Sequence, residues 1–149
     1  MKVLMVCLGN ICRSPLAEGI LKSKVNSDQV YVDSAGTGGY HIGNAPDPRS
    51  IKVAKEHGLD ISSQVCRKFG VSDFNAFDVI YAMDKSNYNN IISLARNKED
   101  ADKVKLLLNE ISSFDEEVPD PYYDAVEGFE NVFQMIDQAC NVIAARLEK

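Results

Sequence analysis

Between Lys2 and Leu21 the chain runs from an apolar, β-forming segment through a short turn straight into a helix. Lys2 to Val6 reads as a buried strand. Cys7-Leu8-Gly9-Asn10-Ile11-Cys12-Arg13 follows as the turn, and Ser14-Pro15 opens the helix, a hydroxyl cap with Pro at the first helical position. Leu16, Ile20 and Leu21 share one face of it. The alternation then continues. Val30 to Asp33 reads as a second strand, and Gly36 to Pro46, with four of the nine glycines, as a long loop. Asp47-Pro48 caps a helix that Gly58 ends, with Val53, Ala54 and His57 on its inner side. A short helix around Ser72 to Phe77 leads into a third strand, Val79 to Met83. Asp84 caps a helix reaching about Arg96, and Lys103 to Leu108 reads as a fourth strand. Phe114 to Asp124 is an acidic, Pro-bearing loop. The last helix starts near Glu127, with Phe129, Val132, Phe133, Ile136, Cys140, Ile143 and Leu147 in one apolar stripe.

Strands alternating with helices imply βαβ units and an α/β fold: a three-layer sandwich, its four-stranded, parallel, twisted sheet covered by helices on both faces. No repeat, low-complexity tract or linker interrupts the 149 residues, so a single domain over 1–149 is expected. Ligands of such sheets sit beyond the carboxyl ends of the strands, which directs attention to the loop after strand one.

Charge and cysteine usage narrow the chemistry. The net charge is −6, which argues against nucleic acid or an anionic membrane surface as partner. An anionic ligand must then be held by local donors. The apolar opening is too short for a secretory core, and no run approaches the ~20 residues of a membrane span, so a cytoplasmic protein is expected. Cys7, Cys12, Cys66 and Cys140 are too few for a disulfide scaffold and read as reduced thiols. Without a Cys-X-X-Cys, and with His41 and His57 not at ligand spacing, no metal and no cofactor is expected.

The loop Cys7 to Ser14 has the parts of an anion trap. Successive N–H groups in such a turn, those of Leu8, Gly9, Asn10, Ile11 and Cys12, can form a nest, and the helix N-terminus adds free N–H groups and a positive dipole end. Gly9 is expected to supply a backbone conformation that a Cβ would resist. Arg13 offers a planar fork for two phosphate oxygens. Cys7 begins the turn, so its sulfur can lie at the floor, where these donors and the Ser14 hydroxyl favour thiolate. Taken singly, Cys7 reads equally as a core thiol and Arg13 as a surface charge; the combination between strand and helix is what points to chemistry. The Gly-X4-Gly-Lys-Ser/Thr pattern of nucleotide P-loops is absent.

These residues, with Ala17-Glu18, Asp33-Ser34-Ala35-Gly36-Thr37, Pro46-Asp47-Pro48-Arg49, Phe77-Asp78, Met83-Asp84, Ser86-Asn87 and Asp120-Pro121-Tyr122-Tyr123, resemble the low-molecular-weight protein tyrosine phosphatases in order and over nearly the whole chain. The resemblance implies hydrolysis of phosphotyrosine, in proteins or peptides, and of aryl phosphates. It implies no metal, inhibition by inorganic phosphate and other oxyanions, and a monomer. Position by position it makes Cys7 the nucleophile that forms a phosphocysteine. Arg13 and the loop amides bind the equatorial oxygens, and Ser14 stabilises the thiolate. Asp120 protonates the leaving phenolate and then activates water. Asn10 and Ser34 hold the loop, and Leu8, Tyr40, Tyr122 and Tyr123 line a deep aromatic cleft. Read alone, Asp120 is one carboxylate of an acidic turn with Asp115, Glu116, Glu117 and Asp124, Tyr40 is a surface aromatic, and Asp84 is an N-cap. Beside the resemblance, Asp84 is also expected to steer Arg13 by an ion pair.

The resemblance further implies that Cys12 forms a reversible disulfide with Cys7 under oxidation, against the alternative of a packed thiol. One departure stands out. Many members carry a His at the position of Gln64, where it supports Asn10; Gln64 can hydrogen-bond there but cannot carry charge. The nearest rival is an arsenate reductase-like thiol enzyme on the same fold. It needs a relay of further cysteines, whereas residues 72–110 contain none and Cys66 has no close sequence partner. A non-catalytic phosphotyrosine-binding module would have no use for Cys7. A thiol redox protein using Cys7 and Cys12 would have the wrong spacing.

Overall fold

The computed structural model describes residues 1–111, 116–122 and 126–147. Four parallel strands, β1 (Lys2–Cys7), β2 (Tyr31–Gly36), β3 (Val79–Ala82) and β4 (Val104–Leu106), form one sheet in the order β2-β1-β3-β4. Helices α1 (Arg13–Lys24), α2 (Pro48–Glu56), α3 (Asp73–Ala76), α4 (Lys85–Ile92), α5 (Lys98–Asp102) and α6 (Val126–Leu147) connect and cover it. The alternation of β1 shows how the layers arise. Val3, Met5 and Cys7 face a core shared with α1, α2 and α6, while Leu4 and Val6 face a second core with Phe74, Phe77 and Ile91. Both faces are buried, which is why the strands read as continuous apolar runs.

Strand order reverses at β1, whose neighbours β2 and β3 lie on opposite sides. Its carboxyl end is therefore the topological switch point, and the 7-to-13 loop leaves from there.

Several boundaries differ from expectation. α1 begins at Arg13, with Cys12 in the cap position and no side-chain cap. Ser14 is thus inside the first turn, its hydroxyl directed at β1 and β2 rather than at the helix end. β2 runs on to Gly36, which pairs with Cys7. There a Cβ would lie 2.7 Å from the Leu8 carbonyl oxygen, so the close approach of the loop requires glycine. Asp47 does cap α2, accepting from the Arg49 amide, and Gly58 follows the helix with φ +80°. His57 ends that helix and stacks on Phe133 (4.0 Å between centroids), bonded to Glu130. α4 stops at Ile92, and a separate helix α5, capped by Asn97, follows. β4 is only three residues long, because Leu107–Glu110 coil into a 3₁₀ turn. α6 buries Phe129, Val132, Phe133, Ile136, Cys140 and Ile143 as its periodicity predicts.

Candidate active site

The loop after β1 folds as a cup because its carbonyls are drawn outward. Cys7 O accepts from Thr37 N (2.9 Å), Leu8 O from Gly38 N (2.8 Å) and Ile11 O from Asp47 N (2.8 Å). Asn10 O accepts from Cys66 Sγ (2.8 Å), and Cys12 O from Ser50 Oγ (3.3 Å). Among the described residues the amides of Leu8, Gly9, Ile11 and Cys12 donate to no protein acceptor. They remain available to an anion. Asn10 N instead donates to Cys7 Sγ at 3.2 Å.

The left-handed residue of the loop is Asn10 (φ +58°), not Gly9 as expected. Asn tolerates that conformation better than most residues. Gly9 serves another purpose: a Cβ there would press to 3.2 Å from the His41 ring, which lies against the loop.

Asn10 also sets the direction of a buried hydrogen-bond chain. Its Oδ1 accepts from Arg67 N (3.0 Å), which fixes the amide so that Nδ2 donates to Ser14 Oγ (2.8 Å) and Ser34 Oγ (3.0 Å). Ser34 Oγ donates to Glu18 Oε1 (2.6 Å). Ser14, already accepting, has its own proton to give. Cys7 Sγ lies at 3.0 Å, closer than Ala35 O at 3.4 Å. The chain therefore reaches the sulfur, with Ser14 Oγ lying between Asn10 Nδ2 and Cys7 Sγ. Sequence reasoning did not place Glu18 or the Arg67 amide in this chain. Gln64 is absent from it too: its Nε2 donates to Pro15 O (3.1 Å), and its Oε1 is buried without a partner among the described residues.

Burial pushes Cys12 up to about 12, with Asp47, Cys7 and Asp120 adding to it. Burial also raises Cys66 to about 11 and Cys140 to about 12. All four cysteines are free.

Arg13 is 2 % exposed. Its Nη1 donates to Asp84 Oδ2 (2.6 Å) and Val118 O (3.0 Å), and its Nη2 lies 3.6 Å from Asp120 Oδ2. Burial alone would weaken its hold on the proton, but the neighbouring Cys7, Asp84 and Asp120 outweigh it and raise the guanidinium above its ordinary value. Asp84 makes two contacts. Oδ1 caps α4 by accepting from Asn87 N (2.7 Å), and Oδ2 holds Arg13.

Cys7, Leu8, Gly9, Ile11, Cys12, Arg13, Tyr40, His41, Asp120 and Tyr122 enclose a cleft of about 340 Å³. Asn10, Ser14, Ser34 and Asp84 stand behind its walls. Tyr40 is 74 % exposed at the rim. His41, unforeseen from the sequence, lies 6.5 Å from Tyr122, centroid to centroid. Tyr123 lies outside the described residues. Among the described residues no group of acidic, His and Cys side chains is arranged to hold a metal ion. No described helix is long and apolar enough to cross a membrane.

A sulfur at the floor of an amide cup, beside a buried guanidinium and an open carboxylate, is an arrangement that can hold an anion over a thiol at the carboxyl edge of a parallel α/β sheet. The family model of the low molecular weight phosphotyrosine protein phosphatases matches residues 2–149. The low molecular weight phosphotyrosine protein phosphatase 1 of Drosophila melanogaster is 40 % identical, over 99 % of this chain and 98 % of its own. The protein tyrosine phosphatase of Entamoeba histolytica, solved with Hepes in its active site, superposes with a TM-score of 0.93 at 38 % identity, covering 99 % of this chain and 97 % of that one. Vibrio vulnificus Wzb in complex with benzylphosphonate superposes at 0.86 with 30 % identity and 97 % coverage of each. This chain belongs to the low molecular weight phosphotyrosine protein phosphatases, which are phosphoric monoester hydrolases.

Proposed function

We propose that this protein hydrolyses phosphotyrosine in proteins or peptides, and aryl phosphates generally, through a phosphocysteine on Cys7. The observation that carries the reading is the buried hydrogen-bond chain from Asn10 through Ser14 to Cys7 Sγ, beneath loop amides that have no protein acceptor among the described residues. The substrate phosphate lies in the cup, its oxygens on the amides and on the Arg13 fork. Cys7 Sγ attacks phosphorus. The bond from phosphorus to the phenolic oxygen breaks, and Asp120 delivers a proton to that oxygen. Water then attacks the phosphocysteine, Asp120 takes its proton, and the sulfur departs as thiolate while inorganic phosphate is released.

The leaving group explains the cleft. Cys7 is buried at its floor, and Leu8, Tyr40, His41 and Tyr122 form its walls. A phenyl ring spans that depth and packs against flat side chains, whereas a serine phosphate is too short. Benzylphosphonate in the Vibrio vulnificus homologue is an oxyanion on a benzyl ring, the same combination. Inorganic phosphate, as product, competes for the cup. The bound monoester needs neither metal nor cofactor for this sequence of steps.

The test pairs aryl phosphate hydrolysis with arsenate-dependent thiol oxidation, for the wild type and Cys7→Ser. Phenyl phosphate turnover that disappears in Cys7→Ser, with no arsenate-dependent thiol loss, is the expected result. Arsenate reduction without phosphatase activity would overturn the reading, as would phosphate binding without turnover.

A further inference from the structure

Asp120 projects from a segment that must be held at a fixed distance from the 7-to-13 loop, and one side chain outside the cleft wall connects the two. Arg49, in the first turn of α2, is locked onto Asp47: Nε to Oδ1 at 3.0 Å, Nη2 to Oδ2 at 2.9 Å, and its own amide to Oδ1 at 2.8 Å. The same Asp47 donates its amide to Ile11 O (2.8 Å). On its other side the Arg49 guanidinium covers two rings, Tyr122 at 5.5 Å and Phe129 at 4.6 Å. Phe129 is fully buried on α6. Tyr122 is two residues from Asp120, and its amide donates to Asp120 Oδ1 (3.0 Å). An unbroken series of contacts therefore runs from the anion loop through Ile11, Asp47 and Arg49 to Tyr122 and the carboxylate.

We infer that Arg49 is a positioning residue for this reaction, holding Asp120 at the leaving-group oxygen by fixing Tyr122 against the anion loop. The inference rests on the reading of Asp120 as the acid. Arg49 touches neither phosphate nor phenol in this account. It acts through Tyr122, and the Asp47 fork removes the rotamer freedom that would blur the placement. Cation–ring contacts of this kind are modest singly, but a carboxyl displaced by about 1 Å from a leaving oxygen transfers its proton far less efficiently. Val118, buried and bonded to Met83 and Arg13, anchors the segment before Asp120, so Arg49 supplies the anchor after it.

A loss of proton delivery has a signature that general loosening lacks. p-Nitrophenolate leaves without help, whereas phenolate needs its proton. We therefore compare kcat/KM for phenyl phosphate and p-nitrophenyl phosphate in wild type, Arg49→Met, Arg49→Lys and Asp120→Asn, with thermal melting of each. Arg49→Met is expected to lose about tenfold on phenyl phosphate and at most about twofold on p-nitrophenyl phosphate. Arg49→Lys, which keeps a cation over the rings but not the fork, falls between. In the double variant with Asp120→Asn, Arg49→Met adds no further selective loss. Equal losses on both substrates in Arg49→Met, or a selective loss that persists undiminished on top of Asp120→Asn, would overturn the inference while leaving Asp120 as the acid. If Asp120→Asn itself shows no selectivity between the substrates, the acid assignment fails and this inference with it. Should Arg49→Met not fold, the Arg49→Lys comparison decides by the same criterion.

Discussion

Arg13→Lys is expected to lower kcat/KM for an aryl phosphate by about a thousandfold, on the order of 4 kcal/mol of transition-state stabilisation, while the protein stays folded. The direction follows from the geometry of the fork. Nη1 is committed to Asp84 at 2.6 Å and to Val118 O at 3.0 Å. The remaining edge faces the cleft, within 3.6 Å of Asp120. A planar guanidinium satisfies the wall and the phosphate at once. A lysine ammonium is a point charge with three donors, and it cannot keep Asp84 and Val118 while presenting two donors to equatorial oxygens. Its loss would fall mainly on kcat, because the fork matches the planar arrangement that those oxygens reach only in the transition state. Steady-state kinetics with the melting temperature recorded alongside checks this. A loss confined to KM would mean that Arg13 only binds substrate.

Asp120→Asn is expected to reduce phenyl phosphate turnover by two to three orders of magnitude, about the range for a general acid. It is also expected to change what accumulates. With p-nitrophenyl phosphate the first step needs no proton, so Cys7 is phosphorylated at close to the wild-type rate. The second step needs a base for water and finds only an amide. A burst of p-nitrophenol, equal to the enzyme present, followed by slow turnover is the expected trace in a stopped-flow experiment. The environment of Asp120 suits the task. Its side chain is 44 % exposed, the Tyr122 amide orients one oxygen, and Arg13 faces the other.

How much of this was legible from residue order varies with how local the cause is. The place of the Cys7-to-Arg13 loop could be read directly, because the strand, turn and helix signals follow one another in consecutive residues. The parallel sheet followed from the alternation of apolar runs. β4 was overextended because Leu107 and Leu108 continue its apolar run, and burial alone does not separate a strand from a buried 3₁₀ turn. α5 was missed because Lys-Glu-Asp-Ala-Asp has no apolar period; its signal was the Asn97 cap, which accepts from the Asp100 amide. The Gly9 expectation failed for an instructive reason. The turn places its left-handed residue one position later, where the Asn10 side chain is held by Ser14 nearby and by two distant segments, around Ser34 and Arg67. Long-range partners of this kind, like the His41 ring over Gly9 or Arg49 over Tyr122, depend on how the 36-to-49 segment folds back on the sheet. No local spacing encodes that return.

Rapid acid quenching of Asp120→Asn during p-nitrophenyl phosphate turnover, followed by peptide mass mapping, reads the nucleophile directly. One phosphoryl group per chain, on the peptide bearing Cys7 and lost in a Cys7→Ser background, is the predicted result. Phosphate on another side chain, or steady turnover with no phosphorylated protein at any time, would contradict it.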